Sequence, residues 1–173
     1  DEGVKEITLM NLLNHTSGLP DISNYHWSNN NQSDTSLGDY VLGLNLSIDN
    51  EPNTTYYYSN LGYDILGFIV ERISGLSFDD YLKKHVLNKS GMTNSDFRYY
   101  KIPDSLKTTP HTDSWITGSV KVRKTYPYTR EHAPSSTLNA SAKELSHWMN
   151  SFLQRLNDPK LSESYSKMIA PSF

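Results

Sequence analysis

The sequence predicts a mainly α chain of five or six helices with one or two short strands. Three observations carry this expectation. Apolar residues recur at i, i+3, i+4 and i+7 in several separate windows. Ser or Thr stands where a helix cap is needed in front of most of those windows. Strict alternation of apolar and polar residues occurs in one short stretch only. The 173 residues are 36% hydrophobic with a mean hydropathy of -0.61, enough for a thin core. Length and apolar content together suggest a loop-rich domain or a piece of something larger, and the chain opens at Asp1, not at a methionine.

Thr8 caps a first short helix with Leu9, Leu12 and Leu13 on one face, and Gly18 and Pro20 break the chain after it. A polar loop centred on Asn29, Asn30, Asn31 and Gln32 leads to a second helix, which Ser36 caps and which carries Leu37, Tyr40, Val41 and Leu44 at helical spacing. Glu51, Pro52 and Asn53 form a turn. The strongest helix begins at Ser59 or Asn60 and ends at Gly75, a good residue just past a helix C-terminus. Apolar residues cover most of its circumference, so it is expected to be buried. Gly62 and Gly67 each weaken it by roughly 1 kcal/mol relative to Ala. Glycines kept inside a central helix point to close backbone approach.

Ser77 with Asp80 resembles a capping box and opens a helix with Phe78, Tyr81, Leu82 and Val86 inward, closing near Gly91. Pro103, Pro110, Pro127 and Pro134 interrupt residues 95–140, within which 119–126 alternates like a strand of a small hairpin or edge ribbon. Ser141 and Glu144 form a capping box for a helix that turns Leu145, Trp148, Met149, Phe152 and Leu156 inward and ends before Pro159. A last short helix runs from about Ser162 to Ile169.

Several function classes fall away. No apolar run approaches the roughly 20 residues needed to span a bilayer. The net charge of -3, with both signs interspersed, leaves no basic footprint for nucleic acid. There is no cysteine, hence no thiolate nucleophile and no Cys-ligated metal. The six histidines never fall at i, i+4 spacing, so no metal and no cofactor is expected.

Three segments line up with a known family. The first is the run from Ile7 to Asp21, ITLMNLLNHTSGLPD. The second is YSNLGYDILG from Tyr58 to Gly67, continued by ISGLSFDDYL and LNKSGM up to Met92. The third is HAPSSTLNASAKELSHW from His132 to Trp148. A Tyr-x-Asn triplet is common in a chain this rich in Tyr and Asn. The order and spacing of three long segments are the signal. On them the chain resembles the penicillin-recognising serine hydrolases: class C β-lactamases, D-alanyl-D-alanine carboxypeptidases and related esterases. The resemblance implies residues 1–173 to be a single helical lobe of the α/β β-lactamase/transpeptidase-like fold. The N- and C-terminal α/β parts would lie in flanking sequence.

In that family the acylated serine belongs to a Ser-x-x-Lys motif upstream of the first segment, and a Lys-Thr-Gly or His-x-Gly strand follows the third. Neither lies in this sequence. Its one Ser-x-x-Lys, Ser164 to Lys167, comes in the wrong order and reads as an exposed helix face. The isolated chain is therefore expected to be inactive. By resemblance Tyr58 is the catalytic tyrosine, and Asn60 binds a substrate amide carbonyl and orients the lysine. Read from the residues alone, the aromatic run Tyr56 to Tyr58 could simply pack, and Asn60 could be a helix N-cap. The resemblance also implies that Leu19 and Pro20 lead into a loop that borders the substrate. Ser135 and Ser136 stand where relatives carry a Gly-Gly turn.

The resemblance implies a small-molecule or peptide substrate, self-association through the face left bare by the missing lobe, and a location outside the cytoplasm. Two other readings are a non-catalytic peptide-binding or sensing module of the same fold and a stand-alone helical interaction domain.

Overall fold

The computed structural model describes residues 2–170. Its seven α-helices are α1 (Leu9–Leu13), α2 (Ser36–Leu42), α3 (Asn60–Ser74), α4 (Phe78–Leu82), α5 (Ala133–Ser136), α6 (Ala142–Leu156) and α7 (Ser162–Ile169). The two strands β1 (His111–Asp113) and β2 (Val120–Val122) pair antiparallel, with Thr112 opposite Lys121. Their residues are all exposed, so this ribbon holds no core. The chain has the mainly α architecture of a helical lobe.

Side-chain caps decide several helix starts. The Thr8 hydroxyl accepts from the Asn11 backbone N–H while the Asn11 side chain accepts from the Thr8 N–H, so both halves of a capping box are present. Ser59 caps α3 by accepting from the Gly62 N–H at 3.3 Å, and Gly75 closes that helix at φ 71°. Ser77 caps α4. The Ser141 hydroxyl caps α6, but the Glu144 carboxylate does not reach back as a capping box requires. It accepts instead from the Asn94 N–H at 2.7 Å and the Ser95 hydroxyl, tying the start of α6 to the loop before it. At α2 the N-cap is Thr35, not Ser36, and the helix stops at Leu42, leaving Leu44 outside.

The apolar core is small: Leu37, Phe78, Leu87, Met92, Phe97 and Ala133, with Val41, Phe68 and Leu82 against it. Helix α4 continues through a π-helical turn at Lys83–Leu87, which turns Leu87 into this core. Beside it lies a buried ionic cluster. The Arg130 guanidinium, 0% exposed, donates to Asp79 at 2.9 Å, to Glu71 at 2.6 Å and to the Asp34 carbonyl at 2.7 Å. This one side chain ties α3, α4 and the loop before α2 together.

Two expectations are corrected. Helix α3 is not buried all round: Leu61, Gly62, Asp64 and Gly67 are buried, whereas Ile73 is 81% exposed. The expected inward face of α6 is largely bare: Leu145, Trp148 and Met149 are exposed, and Leu153 beside them is exposed too. The amphipathic pattern marks a face that gains from burial without supplying what buries it.

Candidate active site

The site is built where the loop after α1 meets the start of α3. His15 adopts a left-handed backbone (φ 60°), which turns both its carbonyl and its ring toward residues 56–59. The carbonyl accepts from the Tyr57 N–H at 2.8 Å, and Nδ1 accepts from the Ser59 N–H at 3.2 Å. The ring lies 4.5 Å from the Tyr58 ring and 5.2 Å from that of Tyr63, centroid to centroid. Burial pulls the His15 imidazole below its ordinary pKa of 6.5, against the opposing pull of the Asp21 charge. A neutral ring is what an accepting Nδ1 requires.

The loop beyond is pinned from a second side. Gly18 sits at φ 75°, and a Cβ there would lie 1.8 Å from the Asn50 carbonyl oxygen. Only glycine fits. Its carbonyl accepts from the Asp49 N–H at 2.8 Å, and the Thr16 carbonyl accepts from the Asn53 N–H at 2.9 Å. The His-Thr-Ser-Gly run is thus a structural turn that holds the segment leading into α3.

On this base stand Tyr58 and Asn60. The Tyr58 hydroxyl donates to Asn60 Oδ1 at 2.9 Å, with the tyrosine 52% exposed. Asn60 is not the N-cap of α3; Ser59 is, and the Ser59 hydroxyl also donates to the Pro20 carbonyl at 2.8 Å. Asn60 occupies the first helical position, where its backbone N–H has no partner inside the helix. That N–H donates to Asp21 Oδ1 at 2.7 Å, and Asn60 Nδ2 lies 3.5 Å from Asp21 Oδ2.

Leu19 is 1% exposed, and Pro20 serves α3 through its carbonyl. Asp21, the next residue, is the one whose side chain reaches the site, and no local pattern in the sequence singles it out.

A second group adjoins α3 through Asp64, four residues after Asn60. Its buried carboxylate lies 2.6 Å from His132 Nδ1 and accepts the Ser135 N–H at 3.2 Å. Burial raises the Asp64 pKa, while the bonds from His132 and Ser135 oppose the rise. This carboxylate fastens the Ser135–Ser136 turn to α3. The turn forms the short helix α5 and not a glycine loop. Tyr40 and Tyr25 meet the His132 ring edge-on, at 4.8 and 5.0 Å. Burial and nearby carboxylates push the Tyr40 phenol up to about 12. Tyr25 stacks on Trp27 at 4.7 Å. Trp27 and Ser136 line a cleft of about 370 Å³ together with Tyr126 and Tyr128. A larger cleft of about 620 Å³, between residues 99–108 and the start of α6, contains neither Tyr58 nor Asn60.

Ser164 and Lys167 are exposed on α7, and the Lys167 ammonium pairs with Glu163 at 2.8 Å. The lysine faces another partner and activates no serine here.

A mainly helical lobe of this fold defines the class: the β-lactamase and penicillin-binding-protein family. The family model for Beta-lactamase matches residues 1–171, and the chain belongs to that family. Its sequence is 30% identical over 168 residues to PbpX of Bacillus subtilis (strain 168), whose name assigns it provisionally to the penicillin-binding proteins. That match covers 95% of this chain and 39% of PbpX. The fold superposes on a penicillin-binding protein from Bacillus halodurans with a TM-score of 0.73 and 22% identity, over 96% of this chain and 51% of that one. A D-amino acid amidase from Ochrobactrum anthropi superposes with a TM-score of 0.66 and 19% identity, over 86% of this chain and 45% of the other. The chain thus spans about two fifths of the length of its Bacillus subtilis relative.

Proposed function

We propose that this chain is the helical lobe of an extracytoplasmic serine hydrolase, and that it contributes Tyr58 and Asn60 to acyl transfer from a β-lactam, a D-alanyl peptide or a small ester. The observation that carries the reading is the Tyr58–Asn60 hydrogen bond, held at the head of α3 by the loop that follows α1. In this reading the remainder of the protein supplies the Ser-x-x-Lys serine and lysine. A serine hydroxyl is a poor nucleophile until a neighbouring group takes its proton.

During acylation the serine oxygen bonds to the acyl carbon. The bond from that carbon to the leaving nitrogen or oxygen breaks, and the serine proton passes by way of the Tyr58 oxygen to the leaving group. Water then cleaves the ester by the same route in reverse. A tyrosine phenol ordinarily ionises at roughly pH 10, so a proton-accepting role needs cations close by. The lysine would be one.

The exposed apolar residues of α1 (Leu9, Met10, Leu13) and of α6 favour a chain that packs against further protein, either the rest of its own fold or another copy. The isolated chain is then inactive, and it binds a dye specific for exposed apolar surface. In the full-length protein, Tyr58→Phe and Asn60→Ala each lower turnover of nitrocefin, a D-alanyl-D-alanine peptide or a p-nitrophenyl ester by roughly a hundredfold or more. Wild-type rates in both variants, against every one of these substrates, would reject the assignment.

A further inference from the structure

We infer that Asp21 is a positioning residue for the Tyr58–Asn60 pair: its carboxylate decides which way round the Asn60 amide faces, and so fixes Tyr58 as a hydrogen-bond donor. The inference rests on the reading of Tyr58 and Asn60 as active-site groups.

The argument is one of donors and acceptors. An ionised carboxylate only accepts hydrogen bonds, and an amide side chain carries one accepting and one donating end. The Asn60 backbone N–H holds Asp21 Oδ1 at 2.7 Å, in the first turn of a fifteen-residue helix where negative charge is favoured. The second oxygen of that carboxylate then lies 3.5 Å from the Asn60 side-chain amide. The amide must turn its NH₂ end toward it. Its carbonyl end is thereby left for Tyr58, at 2.9 Å, and a carbonyl can only accept, so the phenol donates. Polarity runs Tyr58 to Asn60 to Asp21 and is set from the far end. The reversed amide would bring two acceptors together at Asp21 with no proton between them.

The fixed orientation has two consequences. At rest the Tyr58 proton points to Asn60 and the phenol oxygen's lone pairs can accept the serine O–H; in the transfer the phenol takes that proton as it gives up its own to the leaving group. One N–H of Asn60 Nδ2 also remains uncommitted among the described residues, a donor suited to a carbonyl oxygen of a substrate. With the amide reversed, the pair would present a carbonyl where a donor is needed. His15 supports the backbone on the other side, through Ser59, but touches neither end of the Asn60 amide. Choosing the amide's orientation therefore falls to Asp21.

The test separates this role from simple helix capping. Asparagine at position 21 can still accept the Asn60 backbone N–H, but it carries no charge and can also donate. In the full-length protein with isotope-labelled asparagine, we expect Asp21→Asn to keep the wild-type melting temperature within a few degrees. It should nevertheless shift the Asn60 side-chain NH₂ resonances and lower kcat/KM about tenfold or more. Asp21→Glu, which keeps the charge, should recover part of the rate. Asp21→Asn with unchanged NH₂ resonances would overturn the inference and leave Asp21 a helix cap. Shifted resonances with a wild-type kcat/KM, in a protein that Asn60→Ala inactivates, would overturn it as well. If instead Tyr58→Phe and Asn60→Ala are both fully active, the active-site reading is what fails. The resonances still report whether Asp21 orients the amide.

Discussion

The imidazole of His15 accepts the backbone N–H of Ser59 through Nδ1 at 3.2 Å, across 44 residues of sequence. This bond and its neighbour from Tyr57 fasten the turn after α1 to the segment that ends in Tyr58 and Asn60. A protonated imidazole has no acceptor to offer, so the bond exists only while His15 is neutral.

A pH dependence follows. Burial lowers the folded-state pKa of His15 below 6.5, and the unfolded chain therefore takes up the proton first as the pH falls. The His15 contribution to stability is complete above pH 6.5 and is lost progressively below it, down to the folded-state value. His15→Asn keeps a residue type that tolerates the left-handed backbone. The difference in urea midpoint between wild type and His15→Asn should be largest above pH 7 and shrink toward pH 5. A difference that is flat across this range would show that the imidazole takes up its proton equally readily in the folded and unfolded states.

Gly62 and Gly67 lie in the same helix and should respond to alanine in opposite directions. A Cβ at Gly67 would stand 2.1 Å from Pro134 Cγ, where α5 crosses α3. Overpacking costs about 1–3 kcal/mol, which exceeds the roughly 1 kcal/mol that alanine gains in helix propensity. At Gly62 the nearest atom would be the Leu12 carbonyl oxygen at 3.5 Å, an ordinary contact. Gly67→Ala should lower the melting temperature and Gly62→Ala should raise it, by thermal denaturation followed in the far ultraviolet.

Arg130 holds two carboxylates and a carbonyl with no exposure to solvent. Removing it leaves Asp79 and Glu71 without their counter-ion, and Asp79 is completely buried. Arg130→Ala should cost about 3–5 kcal/mol in denaturant unfolding. Replacing the whole cluster by apolar residues of similar volume should cost much less, because the desolvation of three charges is removed with their attraction.

The bare face of α6 gives a contrast between contexts. Met149 is 57% exposed, so Met149→Gln in this chain should change stability by less than about 0.5 kcal/mol. Leu37→Ala, in the core, should cost about 2–5 kcal/mol. If α6 packs against further protein, as proposed, Met149→Gln becomes clearly destabilising in the full-length polypeptide. Equal, small effects in both contexts would place that packing elsewhere.

The sequence by itself determined the helices and several of their ends. Thr8, Ser59, Ser77 and Ser141 cap through bonds that reach only three residues, and Gly75 ends α3 through its own backbone freedom. Local chemistry suffices for such features, and the order of the three long segments sufficed for the family. Tertiary structure decided the rest. It alone showed that the expected inward face of α6 lies open, because an amphipathic stripe specifies a need for burial and not a partner. It also separated Gly67, which requires close approach, from Gly62, which does not. Above all, it brought Asp21 to Asn60 over 39 residues and Asp64 to His132 over 68. Bonds of that span depend on where the folded chain returns, and no local spacing of residue types encodes that return.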